Sequence, residues 1–140
     1  MKIELNRINQ DVHFRASNED GQTIEIDGSP EIGGVEAGPR PMQLLLMSLA
    51  SCSSIDVCTI LKKKRQQVES YRVVAEAERD TDNVPAIFKT IHLTFLLHGQ
   101  LDEQKVKQAI RLSVEKYCSV AKMLEQTATI TYEYHINKSD

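Results

Sequence analysis

The stretch from Met42 to Lys64 contains no glycine and no proline, and it is rich in Leu, Met, Ala and Ser. Pro41 precedes it, and proline suits the first position of a helix because the N–H that it lacks would have no partner there. The sequence therefore predicts one long helix near the middle of the chain. Because the stretch is apolar nearly all round as far as Ile55, we expect its first half to be buried.

Patterns typical of strands flank this helix on both sides. Residues 12–17 and 24–27 alternate apolar and polar side chains around an NEDG turn, and residues 3–8 suggest an earlier strand. After the helix, the predicted elements are strands around residues 71–77 and 87–97, a helix with Asp102 as its N-cap, a short helix capped by Ser119, and a strand over residues 128–136. We expect Ile87 on the apolar face of its strand and Tyr117 in the apolar stripe of the second helix. This order of elements predicts an α+β fold.

The chain, residues 1–140, has the size of a single domain, and its formal net charge is −3. An acidic balance argues against nucleic-acid binding, because neutralising phosphates needs a basic surface. The longest uncharged stretch, Pro41 to Ile55, has 15 residues with four serines, which is too short and too polar to span a bilayer. The N-terminus lacks the apolar segment of a signal peptide. We therefore expect a cytoplasmic protein that does not enter a membrane and whose thiols stay reduced.

Three cysteines are the candidate reactive residues. Cys52 and Cys58 lie in the long helix about 9 Å apart, so they cannot form a disulfide while the helix is intact, and if either one pairs its partner is Cys118. Cys118 precedes a helix start, where the dipole favours a thiolate, so the sequence ranks it as more acidic than Cys52. We expect Cys58 to be a packed small apolar residue. All three cysteines acting only as core residues is an alternative, since cysteine is often buried.

Two segments, each containing one of these cysteines, together resemble a known family. Residues 38–52 (GPRPMQLLLMSLASC) are similar to the start of the central helix in the OsmC/Ohr thiol peroxidases, the osmotically induced and organic hydroperoxide resistance proteins. Residues 115–124 (EKYCSVAKML) are similar to the second cysteine motif of that family, in the form found in its YhfA-like branch. The order of elements agrees as well, so the resemblance extends over essentially the whole chain.

The resemblance implies an intertwined homodimer in which antiparallel sheets wrap around long central helices. It also implies a function in oxidative-stress defence. Cys52 would attack a hydrophobic organic peroxide and become a sulfenic acid, Cys118 would form a disulfide with it, and a dithiol or lipoyl-linked reductant would restore both thiols. The reverse assignment, with Cys118 as the attacking thiol, remains the minority interpretation. No zinc-type spacing and no phosphate-binding loop is present in the sequence, so we expect no metal and no bound cofactor.

The sequence departs from the family at one position that matters for catalysis. Family members have a glutamate directly after the helix-opening proline, where it pairs with an arginine that activates the peroxidatic cysteine. Here Met42 and Gln43 follow the proline. Gln43 can orient an arginine through a hydrogen bond, but it cannot form an ion pair. Arg40 and Arg15 are the candidate arginines, and we assign the activating role to Arg40.

The missing carboxylate keeps two other functions open. A catalytically weak OsmC-like protein could bind a small apolar ligand or sense redox state on the same scaffold, or the chain could form a dimer whose cysteines only pack. The apolar helix residues Leu45, Leu46 and Leu49 favour hydrophobic peroxides for the peroxidase and apolar ligands for the binding protein. Turnover of cumene hydroperoxide with a dithiol distinguishes these functions.

Overall fold

The computed structural model describes residues 1–138, which form two compact units, one of residues 1–45 and one that begins at Leu46. The first unit contains an antiparallel sheet of β1 (Ile3–Arg7), β2 (Phe14–Asn18) and β3 (Thr23–Ile26), in that order. The predicted hairpin and the strand before it are thus confirmed. The α+β class predicted for the chain is confirmed as well.

A buried carboxylate organises the loop that follows β3. Asp27 is only 1% exposed, and its side chain accepts hydrogen bonds from the backbone N–H groups of Gly28, Val35 and Ala37 at 2.8, 2.9 and 3.0 Å. These bonds lower the pKa of Asp27 because they stabilise the charged form. One side chain therefore holds together the glycine-rich segment that leads to the long helix.

The long helix α1 (Pro41–Lys63) begins at Pro41 as predicted. Its burial differs from the prediction, because only a stripe along one face is buried, at Leu49, Ser53, Val57 and Leu61. On the opposite face Met47 and Ile55 are 52% and 67% exposed. A helix with 3.6 residues per turn presents only one side to its own chain, so the remaining apolar side chains lie outside the core.

By length and composition alone, α1 could also cross a membrane, with a mean hydropathy of 1.9 over its most apolar window. The helix has 23 residues, whereas the uncharged stretch from Pro41 to Ile55, which is too short to span a bilayer, has 15. Core helices of globular proteins often have the same apolar character. The buried stripe packs inside the chain, but only 22% of the apolar window is buried there, so most of the apolar surface of α1 is left uncovered by its own chain.

The second unit contains a sheet of β4 (Gln67–Arg79), β5 (Phe88–Gln100) and β6 (Thr129–Ile136), in that order. β4 and β5 pair antiparallel, but β6 pairs with β5 in parallel. The parallel pairing departs from the antiparallel sheets implied by the resemblance. It follows from the chain path, since the helical segment between β5 and β6 returns the chain to the same end of the sheet.

The core of this unit forms on β5, with one error in the predicted face. Ile91, Leu93, Phe95 and Leu97 are fully buried, but Ile87 is 44% exposed and Phe88 is buried in its place. A register shift near the start of β5 explains the change, because it leaves one residue of β5 without a partner on β4. Such a bulge reverses the faces that simple alternation predicts.

Two helices and a turn connect β5 to β6. Helix α2 (Glu103–Leu112) is capped by Asp102, whose side chain accepts the N–H of Lys105 at 2.9 Å as predicted. A single π-helical turn over 113–117 follows, then the short helix α3 (Ser119–Leu124). Because the π turn shifts the spacing of side chains, Tyr117 leaves the apolar stripe and is 51% exposed, contrary to the prediction.

Candidate functional site

The first site residue, Cys52, lies on α1 beside the buried stripe. It is half-buried, and the next residue, Ser53, is fully buried. Because successive residues on a helix are about 100° apart, Cys52 lies at the border between the buried and the exposed face. Its thiol is therefore anchored by the core and still partly accessible.

The second site residue, Cys118, is held by backbone geometry at the junction of the π turn and α3. Its N–H donates to the carbonyl oxygen of Ser113 at 2.8 Å, which is the bond that closes the π turn. Its sulfur accepts the N–H of Ala121 at 3.4 Å, so Cys118 itself caps α3. The sequence assigned this cap to Ser119, which is instead the first residue of the helix.

The fold brings Cys52 and Cys118 together. The side chain of Cys52 is a direct neighbour of the Cys118 thiol, close enough to interact with it by hydrogen bonding and charge. Both cysteines are free, and Cys118 is fully buried. Burial, followed by the proximity of Cys52, raises the pKa of Cys118 to about 11, although the N–H groups of α3 act in the opposite direction. The prediction of an acidic Cys118 is therefore wrong.

A serine that the sequence analysis did not consider connects the two cysteine-bearing segments. Ser113 is fully buried, and its hydroxyl donates to the carbonyl oxygen of Ser53 at 3.0 Å. The same hydroxyl lies 3.3 Å from Oδ2 of Asp56. Its only sequence signal is a polar residue inside the predicted apolar region of the second helix, and many solvent-facing serines produce that signal too.

The third cysteine belongs to different surroundings. The Cys58 side chain is exposed to solvent in this chain, so the prediction that it is packed in the core is wrong. Partial burial nevertheless raises the pKa of its thiol. A raised pKa lowers the thiolate fraction at neutral pH, so Cys58 is a poor nucleophile there.

Arg40 and Gln43 lie in the first unit, at the start of α1. Oε1 of Gln43 accepts the backbone N–H of Arg40 at 2.9 Å, so this side chain caps the helix. A glutamine three residues after the cap commonly forms this bond. The other candidate, Arg15, donates through Nε to the Glu25 carboxylate, which also contacts the ring of His13. These contacts lower the pKa of Glu25, the Arg15 bond most strongly.

Metal ligation has no candidate within the described part of the chain. Among residues 1–138, no group of three or more His, Cys, Asp or Glu side chains is arranged to hold an ion.

Known proteins are similar to this chain in sequence and in fold. A family model described as OsmC-like protein matches residues 33–133, which include both Cys52 and Cys118. Protein YhfA of Escherichia coli strain K12 is 39% identical over 124 residues, covering 88% of this chain and 89% of YhfA. A hypothetical protein from Aquifex aeolicus has a crystal structure with a TM-score of 0.80 and 33% identity, covering 98% of this chain and 97% of that one.

A more distant structure shares the fold alone. The organic hydroperoxide resistance protein of Legionella pneumophila has a TM-score of 0.71 at 14% identity, with 95% of this chain and 94% of that chain covered. The family match spans both cysteine-bearing segments, and the fold agrees over nearly the full length of each structure. On these grounds the chain belongs to the OsmC-like protein family.

Proposed function

We propose that this protein is a thiol-dependent peroxidase that reduces organic hydroperoxides in oxidative-stress defence. The Cys52 thiolate attacks the terminal peroxide oxygen, the O–O bond breaks, and the alkoxide leaves as an alcohol after it takes up a proton. Cys52 is then a sulfenic acid. The Cys118 thiol displaces its hydroxyl group as water, and a Cys52–Cys118 disulfide forms. An external dithiol, free or lipoyl-linked, reduces this disulfide and is itself oxidised to a disulfide.

The observation that carries this proposal is the proximity of Cys52 to the Cys118 thiol. A resolving thiol must be close to the sulfenic acid so that it reacts before a second peroxide does. With its pKa raised to about 11, Cys118 is protonated at neutral pH. It therefore competes little for peroxide. When Cys118 attacks the sulfenic acid, its sulfur must lose this proton as the S–S bond forms, and the proton leaves with the hydroxyl group as water. Its burial supports a resolving rather than an attacking role for Cys118, which is the role that the resemblance implies.

We propose that Arg40 activates Cys52. Gln43 supports the start of α1, because its side chain accepts the backbone N–H of Arg40. A guanidinium near a thiol favours the thiolate. Arg15 is the competing candidate, and its partner Glu25 is a carboxylate of the kind that is missing at Met42. Single Arg40→Met and Arg15→Met variants decide between them, since the activating arginine is the one whose loss slows oxidation of Cys52.

We also propose that the protein is a cytoplasmic homodimer. Proteins of this family have a soluble fold and are typically dimeric. The exposed apolar face of α1, with Met47 and Ile55, is the surface that a second copy would cover. An apolar surface beside Cys52 also favours a hydrophobic peroxide as substrate.

The test is peptide mapping by mass spectrometry after one equivalent of cumene hydroperoxide, with hydrogen peroxide in a parallel sample. We expect a rapid Cys52–Cys118 disulfide that forms faster with the organic peroxide. Cys52→Ser should abolish the reaction, Cys118→Ser should leave Cys52 as a sulfenic acid, and Cys58→Ser is the matched control that should change neither step. Slow oxidation without selectivity among the three cysteines would contradict the proposal.

A second function, a catalytically weak protein that binds an apolar ligand or senses redox state, is favoured by one observation. Oε1 of Gln43 is already bonded to the backbone of Arg40, and Met42 offers no carboxylate, so the ion pair used by the family has no counterpart at these two positions. Native mass spectrometry of the purified protein, together with a turnover assay with cumene hydroperoxide and dihydrolipoamide, tests it. A bound apolar molecule without turnover would favour this second function.

A further inference from the structure

Ser113 contacts the surroundings of both cysteines. Its hydroxyl donates to the carbonyl oxygen of Ser53, the residue next to Cys52, at 3.0 Å. Its own carbonyl oxygen accepts the N–H of Cys118 at 2.8 Å. One fully buried residue therefore joins the backbone beside one cysteine to the backbone of the other.

The hydroxyl bond is directional in a way that the surrounding apolar packing is not. Val57, Ile110 and Val114 are buried in this unit, and apolar contacts of this kind tolerate small shifts along a helix axis. A hydrogen bond loses strength within a few tenths of an ångström and a few tens of degrees. The carbonyl oxygen of Ser53 lies inside α1, where it also accepts the helix N–H four residues on, so the Ser113 hydroxyl is its additional, directional partner from another element. The bond therefore sets where the π turn lies along α1.

The π turn links the position of the resolving thiol, Cys118, to the position of Ser113. The N–H of Cys118 is bonded to the same residue that contacts α1, so the backbone of Cys118 follows Ser113. Single π turns in proteins are frequent at functional sites, where they change the direction of a side chain. Here the turn directs Cys118 towards Cys52, with its sulfur held by the N–H of Ala121.

We infer that Ser113 is a positioning residue for the Cys52–Cys118 pair, and that its hydroxyl controls the rate of disulfide formation but not the attack on peroxide. The inference rests on the proposed function for the oxidised intermediate. The controlled step is the reaction of the Cys52 sulfenic acid with the Cys118 thiol, which gives a disulfide and one water. Ser113 does not touch the peroxide and takes no part in the first step.

The first experiment separates the two steps in Ser113→Ala, with Ser70→Ala as a matched control that removes an exposed hydroxyl elsewhere in the same unit. Dimedone labelling after mixing with cumene hydroperoxide follows the sulfenic acid, and mass spectrometry follows the disulfide and the sulfinic acid. We expect sulfenic acid formation to change less than twofold in Ser113→Ala. Disulfide formation should slow roughly five- to tenfold, as for one lost hydrogen bond, and more Cys52 should reach the sulfinic acid. Equal slowing of both steps, or of neither, would overturn the inference.

A second variant keeps the inference testable if Ser113→Ala folds poorly. Ser113→Thr retains the hydroxyl group and adds one methyl group. We expect disulfide formation near the wild-type rate in Ser113→Thr, with folding of each variant checked by thermal unfolding. If the threonine variant were as slow as the alanine variant while equally folded, the hydroxyl would not be the controlling group.

The second experiment needs no peroxide, so its failure is distinct from failure of the proposed function. The reduced protein is equilibrated in buffers of reduced and oxidised dithiothreitol, and the disulfide fraction gives the effective concentration of Cys118 at Cys52. We expect this value to fall about fivefold or more in Ser113→Ala and to stay unchanged in Ser70→Ala. An unchanged value, or a wild-type protein that forms no Cys52–Cys118 disulfide, would overturn the inference even if peroxide is reduced.

Discussion

At the scale of single residues, Cys118 experiences two opposing effects on its thiol. It caps α3, where the backbone N–H groups favour a thiolate, and it is fully buried, which disfavours any charge. A helix terminus is worth about 0.3–1 kcal/mol, or less than one pKa unit, whereas full burial can shift a pKa by about three to five. Burial therefore dominates, and the pKa rises to about 11.

This raised pKa predicts a loss of stability at high pH. In the unfolded chain the thiol ionises near pH 8.5, roughly its free value. Between that pH and about 11 the folded state binds the proton more tightly, so the contribution of Cys118 is complete below about pH 8.5 and is lost as pH rises to about 11. The free energy of unfolding should fall by at most about 1.4 kcal/mol per pH unit from this one proton.

The measurement is urea unfolding of the reduced protein between pH 8 and pH 11, for the wild type and Cys118→Ala. The difference between the two proteins should shrink as pH rises, because alanine has no proton to lose. Cys58→Ala serves as the comparison for a more exposed thiol of the same chain. A difference that stays constant over this range would show that burial does not perturb Cys118 in this way.

At the scale of elements, the local signals of helix ends are the most reliable part of the sequence. Pro41 and Asp102 each mark a helix start in the structure as predicted, because a cap depends on residues within one turn. The bulge near the start of β5 and the π turn over 113–117 were not predicted. Both depend on which face the partner element buries, and a repeating pattern along one strand or helix does not contain that information.

The cap of α2 provides a quantitative prediction. The Asp102 carboxylate accepts the N–H of Lys105, and its own N–H donates to Oε1 of Gln66 at 2.7 Å. Asp102→Ala removes the first bond and should lower the free energy of unfolding by about 1 kcal/mol. Asp102→Asn retains an acceptor at the cap and should lose much less. Chemical unfolding of the three proteins checks this, and equal stability of wild type and Asp102→Ala would contradict it.

At the scale of the whole molecule, α1 has more apolar surface than one chain covers. Ile55 is 67% exposed although it lies near the centre of the helix, on the face opposite the buried stripe. Exposed apolar surface of this kind marks an interaction site. Together with the dimers typical of the family, it favours the proposed homodimer.

A charge on this face should therefore break the dimer. Ile55→Glu should raise the dimer dissociation constant about a hundredfold or more, since an unpaired charge would be buried in the interface. Val84→Glu is the matched control, because Val84 is fully exposed in the turn between β4 and β5. Sedimentation equilibrium measures both variants, and a wild-type protein that is monomeric at micromolar concentration would refute the prediction.

The sequence by itself determined what depends on near neighbours: where the long helix begins, the order of strands and helices, and the two cysteine segments that identify the family. Only the tertiary structure decided what depends on residues far apart in the chain. This second group has three members: the proximity of Cys52 to Cys118, the hydrogen bond from Ser113 to Ser53 and the raised pKa of Cys118. Burial and directional hydrogen bonding between distant segments produce these three features. Burial and such bonds exist only once the chain has folded.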